Sequence, residues 1–118
     1  MAYIDVMVIP IPTANLKAYK SLVKKSAEAW KRAGALAYVE AIADDVKEGK
    51  VTSFQKSVKL KADESVGCAY LVFKSKAHRN ACWKKIMQDP FMKNYDPKTM
   101  PFDGKRMFFG GFKPIVQF

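Results

Sequence analysis

Two acidic residues, Asp5 and Glu40, are the side chains in this sequence best suited to proton chemistry. Each interrupts a run of mostly apolar residues whose alternation is typical of a β-strand. A carboxyl group on an apolar strand face tends to have a raised pKa, so it can act as a general acid or base. The alternative interpretation is structural: an ion pair with Lys105 or Arg106, or a position at the rim of the fold.

Few other groups in the sequence could carry chemistry. His78 is the only histidine, which excludes a metal site built from several histidines and leaves no partner for a serine triad. Its ordinary interpretation is an exposed or partly packed residue in the first turn of a helix. Cys68 and Cys82 have no metal-ligating neighbour at useful spacing, so we expect two free thiols in a reducing cytoplasm. We expect no metal site and no cofactor.

The balance of charge is strongly basic. The chain of 118 residues has 21 Lys and Arg against 11 Asp and Glu, a net charge of +10, which favours anionic partners. No aromatic motif for stacking nucleotide bases accompanies the lysines, so we expect only weak, salt-sensitive binding to nucleic acid. Residues 103–106, Asp-Gly-Lys-Arg, could bind an anion, but a solvated turn is the favoured interpretation.

Periodicity places the two acids on separate strands. The first strand covers residues 2–11, with Ile4, Val6 and Val8 on one face and Tyr3, Asp5, Met7 and Ile9 on the other. The second covers residues 36–44, with Leu36, Tyr38, Glu40 and Ile42 on one face. Residues 51–60 are ambiguous: Thr52 or Ser53 could cap a short turn there before a strand at 56–61. Strands are predicted at 66–74 and at 106–109, where Gly110-Gly111 interrupts the last one.

Two helices complete the pattern. The first is capped by Thr13 or Asn15, runs to about Ala33 and stops at Gly34; the second begins after Ser75 and runs to about Asp89. Residues 91–101 are apolar but irregular, which indicates a packed segment. The resulting order, βαββαβ, predicts one α+β domain over residues 1–118. It is a ferredoxin-like fold with a four-stranded antiparallel sheet and both helices on one face.

The second face of that sheet is expected to be apolar and uncovered. We expect it to carry Tyr3, Met7, Ile9, Tyr38, Ile42, Tyr70 and either Phe108 or Phe109. Such a face favours a homodimer in which two sheets close into a barrel, with Asp5 and Glu40 pointing inward. No apolar run is long enough to cross a bilayer, so we expect a cytoplasmic protein without a membrane partner.

The sequence resembles the YbaA-like family of small domains of unknown function. The likeness covers nearly the whole chain, and its most specific part is Met-Pro-Phe-Asp-Gly-Lys-Arg-Met-x-x-Gly-Gly-Phe at 100–112. Further matches are Tyr3-x-Asp5, Gly34-Ala35-Leu36, Val39-Glu40, Val51-Thr52-x-Phe54 and Asp89-Pro90. Tyr70 and Ile42 depart from the tryptophan expected in some relatives.

The resemblance implies the dimeric α/β-barrel superfamily. That superfamily holds cofactor-free monooxygenases, haem enzymes, small isomerases and non-catalytic members, so it specifies the fold better than the chemistry. We predict a small-molecule site in the dimer barrel or between sheet and helices, with one carboxylate as the base. Its expected contacts are Met7, Tyr38, Tyr70, Phe109 and His78, with Arg106 orienting an anionic or enolic oxygen. The alternatives are a weak nucleic-acid-binding module and a purely structural dimer without a pocket.

Overall fold

The structure, a computed structural model, describes residues 2–118 as four strands and four helices. The strands are β1 (Tyr3–Pro12), β2 (Ala37–Ile42), β3 (Glu64–Phe73) and β4 (Phe108–Phe112). The helices are α1 (Leu16–Ala33), α2 (Phe54–Ser57), α3 (Lys76–Gln88) and α4 (Pro90–Lys93). Among the described residues, no helix is both long and apolar enough to cross a membrane.

The strands form one antiparallel sheet in the order β2-β3-β1-β4. The first strand therefore lies inside the sheet, between β3 and β4. Asp5 is opposite Leu71 on one side and Gly111 on the other, and Glu40 is opposite Ala69. The predicted α+β, ferredoxin-like arrangement is confirmed.

Local signals set the helix ends. Gly34 ends α1 in the left-handed conformation, with φ at 102°, which a residue with a Cβ adopts only with strain. The Ser75 hydroxyl accepts a hydrogen bond from the His78 backbone N–H and caps α3. The Asn15 side chain makes no capping bond; its amide donates instead to the Pro101 carbonyl at 3.1 Å. That bond ties the start of α1 to the C-terminal part of the chain.

Two predicted elements differ in the structure. The strand expected at 56–61 is absent: Ser53 caps the short helix α2, and the buried Val58 after it packs beside Val8 and Val66. The glycine pair does not interrupt β4, because both glycines belong to the strand. A Cβ on Gly111 would lie 2.5–2.9 Å from atoms of the Tyr3 ring, so glycine lets that ring lie against the strand.

The assignment of the sheet faces was correct for Tyr70 and Phe108 but wrong for β1 and for Tyr38 and Glu40. Tyr3, Asp5, Met7 and Ile9 face the helices, and so do Tyr38 and Glu40 on β2. Alternation separates two faces but does not say which one the helices cover when both are apolar. Asp5 was expected to point into the barrel on the uncovered face. It faces α3 instead, where Arg79 balances the charge of its carboxylate.

The open face of the sheet is apolar in a different set of residues. It is formed by Ile4, Val6, Val39, Tyr70, Val72, Phe108 and Phe112, by alternation along the paired strands. Tyr70, Phe108 and Phe112 are 44%, 46% and 57% exposed. Only its Val8 and Val66 end is covered, by the segment around Val58. None of the seven residues is charged.

Candidate functional site

Asp5 is fully buried on the helix side of β1 and is held by α3. Both of its carboxylate oxygens lie within 3.1 Å of the Arg79 guanidinium. The Trp83 indole N–H donates to Oδ2 at 2.8 Å. The Arg79 guanidinium in turn lies 5.5 Å from the centre of the Tyr3 ring. Hydrogen bonds to Asp5 raise the pKa of Arg79, so the guanidinium remains charged.

This arrangement fits a structural role. The carboxylate already accepts from an arginine and an indole, and its side chain is 0% exposed. Phe109 stacks on Trp83 with ring centres 6.2 Å apart and closes the cluster toward β4. No small molecule reaches the carboxylate of Asp5 as it stands.

Glu40 is held by phenols, and within residues 2–118 no cation forms an ion pair with it. The Tyr19 hydroxyl on α1 donates to Oε1 at 2.6 Å, and the Tyr38 hydroxyl on β2 donates to Oε2. The Tyr38 oxygen also lies 3.3 Å from the Ser26 hydroxyl. Because Tyr38 gives its single proton to Glu40, Ser26 is the donor in that second contact. Each oxygen of the Glu40 carboxylate keeps one acceptor position free, out of about four in total.

Burial dominates the acid–base behaviour of this group. Burial raises the pKa of Glu40 above its ordinary value, and the hydrogen bonds from Tyr19 and Tyr38 only partly oppose it. Burial and the bonds to Glu40 raise the pKa of both tyrosines strongly, so the phenols keep their protons. Glu40 is thus a carboxyl group poised to hold or release a proton, clamped by two fixed donors.

The Glu40 carboxyl adjoins a cavity of about 410 Å³ between the sheet, α1 and the segment 89–107. That volume lies within the range of small-molecule pockets, roughly 300–1,000 Å³. The remaining wall includes the hydroxyl-bearing Ser26 and Tyr95 and is otherwise apolar, from Met7, Ile9, Leu22, Val23, Phe91, Met92, Pro97, Met100, Phe102 and Met107. Among the residues that line it, Glu40 is the sole member of the Asp, Glu, Lys, Arg and His types.

The segment 89–107 forms the outer wall of this cavity. Asp89 caps α4 by accepting from the Phe91 N–H at 2.9 Å, and the Arg32 guanidinium holds the same carboxylate from α1. On its other side, α4 and α1 bound an open groove of about 820 Å³. Leu22, Phe91 and Tyr95 line both spaces, so these three residues separate groove from cavity.

Tyr95 is the unusual member of that partition. Its hydroxyl is buried and has no hydrogen-bond partner. A buried hydroxyl without a partner costs free energy, on the order of 1–3 kcal/mol. The Tyr95 hydroxyl therefore destabilises the partition between groove and cavity.

The predicted site residues fall into separate places. Glu40 and Tyr38 share the cavity with Met7. Tyr70 lies on the open face, and Phe109 belongs to the Asp5 cluster. Arg106 bridges Glu64, at 2.6 Å, and Asp103, at 2.9 Å, and donates to the carbonyls of Val58 and Lys59. Arg106 therefore stabilises the segment that follows α2. It does not line the cavity beside Glu40, where it was expected to orient a ligand.

His78 is engaged in a local contact. Its Nδ1 accepts from the Lys74 backbone N–H at 2.9 Å, so in the neutral ring the proton is on Nε2. That nitrogen lies 3.4 Å from the buried Cys82 sulfur, and burial raises the pKa of the thiol. A ring that already carries its proton on Nε2 does not take one from Cys82, so the pair is not arranged as a nucleophile and base.

Sequence reasoning missed Tyr19 and most of the cavity wall. Tyr19 follows the three- and four-residue spacing of the apolar residues Leu16, Leu22 and Val23 along α1, which predicts only that it is buried. No pattern indicated that its hydroxyl reaches a strand that follows Gly34. The apolar, irregular character of 91–101 did indicate packing, and Phe91, Met92, Tyr95 and Met100 all line the cavity. Within residues 2–118, no group of three or more His, Cys, Asp and Glu side chains is arranged to hold a metal ion.

Structural comparison shows the fold. The structure is similar to Rv0793 from Mycobacterium tuberculosis (TM-score 0.57, 10% identity, 99% and 98% of the two chains covered). It is also similar to Atu4242 from Agrobacterium tumefaciens (0.56, 16%, 97% and 93%). A third similar structure is a dimeric ferredoxin-like protein from an uncultured marine organism (0.54, 10%, 94% and 91%).

Sequence comparison shows the family. The chain is 42% identical over 116 residues to the uncharacterized protein YbaA of Escherichia coli K12, with 98% of each chain covered. YbaA of Shigella flexneri matches with the same identity and coverage. The profile of DUF1428, a protein family of unknown function, matches residues 2–104. On both grounds, the chain belongs to the DUF1428 family, together with the YbaA proteins.

Proposed function

We propose that the protein binds a small, largely apolar molecule in the cavity beside Glu40 and exchanges a proton with it there. The observation that carries the proposal is a desolvated carboxyl group, held by two phenols and without a counter-ion, at the wall of an otherwise apolar cavity. Apolar pockets with a few convergent polar groups and a perturbed titratable residue are the usual form of ligand sites. No cofactor is required for this step.

Tyr19 and Tyr38 define what Glu40 can do. Their donated hydrogen bonds fix the plane of the carboxyl and leave one acceptor position on each oxygen. A ligand O–H, N–H or acidic C–H placed at that position gives its proton to the carboxylate, and a protonated Glu40 returns it. Ser26, behind Tyr38, keeps the phenol oriented.

The test begins with a thermal-shift screen of uncharged and singly charged aromatic and aliphatic compounds. A true ligand raises the melting temperature of the wild type, and we expect Glu40→Gln to lose most of that rise. Proton exchange is then measured by calorimetry in two buffers of different ionisation enthalpy. The number of protons exchanged should fall to zero in Glu40→Gln and stay unchanged in Glu28→Gln, an exposed acid of the outer groove. Equal stabilisation of wild type and Glu40→Gln would remove Glu40 from the site.

We also propose that the open face of the sheet joins two copies of this chain. The seven residues that form this face are uncharged, and Tyr70, Phe108 and Phe112 among them are exposed, although each chain carries a net charge of +10. A surface without charge suits a second, equally charged copy, because like charges brought together at an interface oppose association. The similar marine protein is described as dimeric. The Glu40 cavity lies on the opposite face of the sheet, so this association leaves it free.

Light scattering tests the association. The wild type should have twice the mass of one chain, and Tyr70→Glu should be monomeric because it buries a charge in the interface. Met87→Glu, at an equally exposed apolar residue of α3, serves as the matched control and should remain dimeric. A monomeric wild type at micromolar concentration would contradict this part of the proposal.

A further inference from the structure

The wall of the cavity beside Glu40 combines one carboxyl group with many aromatic rings and no cation. Five rings line it, from Tyr19, Tyr38, Phe91, Tyr95 and Phe102. The chain contains 21 Lys and Arg, yet none of them lines this cavity. A site that selects an anionic ligand would present at least one of these cations to it.

We infer that the ligand of this cavity is an organic cation: a primary or secondary amine on a compact apolar or aromatic body. This inference rests on the proposed ligand site at Glu40 and names its ligand class. The free acceptor positions on the carboxylate suit an ammonium N–H donor, because Tyr19 and Tyr38 occupy only one position on each oxygen.

The charges around the Glu40 carboxylate favour a cationic ligand over a neutral ligand that only donates a hydrogen bond. In the Asp5 cluster a carboxylate that is buried more deeply than Glu40 is neutralised by Arg79 from within the chain. No side chain plays that part for Glu40 among the lining residues. A bound ammonium ion supplies the missing positive charge, and the surrounding rings stabilise it through their negative faces.

The methionines of the wall suit the apolar part of such a ligand. Met7, Met92, Met100 and Met107 are four of the six methionines in the chain, and their flexible thioethers adapt to ligands of different shape. Carboxylate and phosphate compounds are excluded, because an anion beside ionised Glu40 would meet like charge without compensation.

Three probes of matched shape decide the class: 2-phenylethylamine, 2-phenylethanol and phenylacetate. We expect the amine to bind about tenfold more tightly than the alcohol, since a charge-assisted hydrogen bond is the stronger one, and phenylacetate to show no binding. Glu40→Gln should remove the preference for the amine, whereas Glu28→Gln should keep it. Retention of the preference at high salt distinguishes the cavity from exposed acids, whose attraction is screened.

Methionine methyl NMR locates the binding without relying on a variant that could misfold. The four cavity methionines should shift with the amine, while Met87, exposed on α3, should not. An alcohol that binds as tightly as the amine, or phenylacetate that binds at all, would overturn the ligand class. Glu40-dependent alcohol binding would still support the proposed ligand site. An amine that shifts only Met87 would also overturn the inference, because the cation would then be bound at the surface.

Discussion

Two carboxyl groups, those of Asp5 and Glu40, lie on the same side of one sheet but have different hydrogen-bond partners and different surroundings. Asp5 accepts hydrogen bonds from an arginine and an indole and lines neither the groove nor the cavity described above. Glu40 is met by two phenols and adjoins a cavity of about 410 Å³. Burial alone therefore does not mark a functional acid. The distinguishing features are whether the chain supplies a counter-charge and whether space remains beside the free lone pairs.

The largest expected effect comes from removing the counter-charge of Asp5. Arg79→Met keeps the apolar stem but leaves a fully buried carboxylate unpaired, which should lower the free energy of unfolding by about 3–5 kcal/mol. Urea denaturation measures this, and Asp5→Asn combined with Arg79→Met should recover part of the loss. A loss under about 1 kcal/mol would mean that the Asp5 cluster is not structural in the sense proposed.

Glu40 and Glu64 should respond to pH with opposite signs. Burial raises the folded-state pKa of Glu40, so its contribution to stability is present below the unfolded-state pKa and is lost as pH rises through the folded-state value. Relative to wild type, Glu40→Gln should therefore gain stability as pH rises. Hydrogen bonds from Arg106 lower the pKa of Glu64, so its contribution is present above the unfolded-state pKa and is lost as pH falls.

Glu64→Gln should accordingly destabilise the protein by roughly 1.5–3 kcal/mol at neutral pH, and this deficit should shrink in acid. Denaturant titrations from pH 3 to pH 8 compare the two variants with wild type. If both variants shifted in the same direction with pH, the two glutamates would not differ in the way described here.

A smaller effect is expected from the tyrosine hydroxyls around the cavity. Tyr95→Phe removes a buried hydroxyl without a partner, so the variant should be as stable as wild type or more stable by up to about 1 kcal/mol. Tyr19→Phe removes a donor to Glu40 and should cost about 1–2 kcal/mol instead. Thermal melts of both variants suffice. Equal losses would show that the Tyr95 hydroxyl has a partner in solution.

The smallest effect is expected at the exposed ion pair between Arg32 and Asp89. Arg32→Ala should change stability by less than about 1 kcal/mol, because the arginine is more than half exposed and the pair is screened by solvent. Asp89→Ala should lower stability more than Arg32→Ala does, because Asp89 also caps α4. Equal losses of stability in the two variants would mean that the ion pair accounts for the whole effect and the cap for none of it.

The order of elements could be predicted from the sequence, because alternation at Tyr3–Ile9 and the stripe of α1 are strong local signals. The face that the helices cover could not be predicted, since Ile4 and Met7 on opposite faces are both apolar. The partner that places Asp5 on the helix side, Arg79, is 74 residues away along the chain. Glu40 was predicted as a functional candidate on local grounds, whereas Tyr19 was not. The hydroxyl of Tyr19 becomes a donor to Glu40 only after α1 packs on β2.

The central position of β1 has a consequence for the time course of folding. Met7 pairs with Phe109, so β1 becomes fully paired only when β4, about 100 residues further along the chain, joins the sheet. Contacts of such sequence separation close slowly, because the entropy of a long loop must be lost before pairing compensates for it. The segment 89–107, which completes the cavity, directly precedes β4 along the chain. The cavity beside Glu40 should therefore be absent from the growing chain and form only after β4 has left the ribosome.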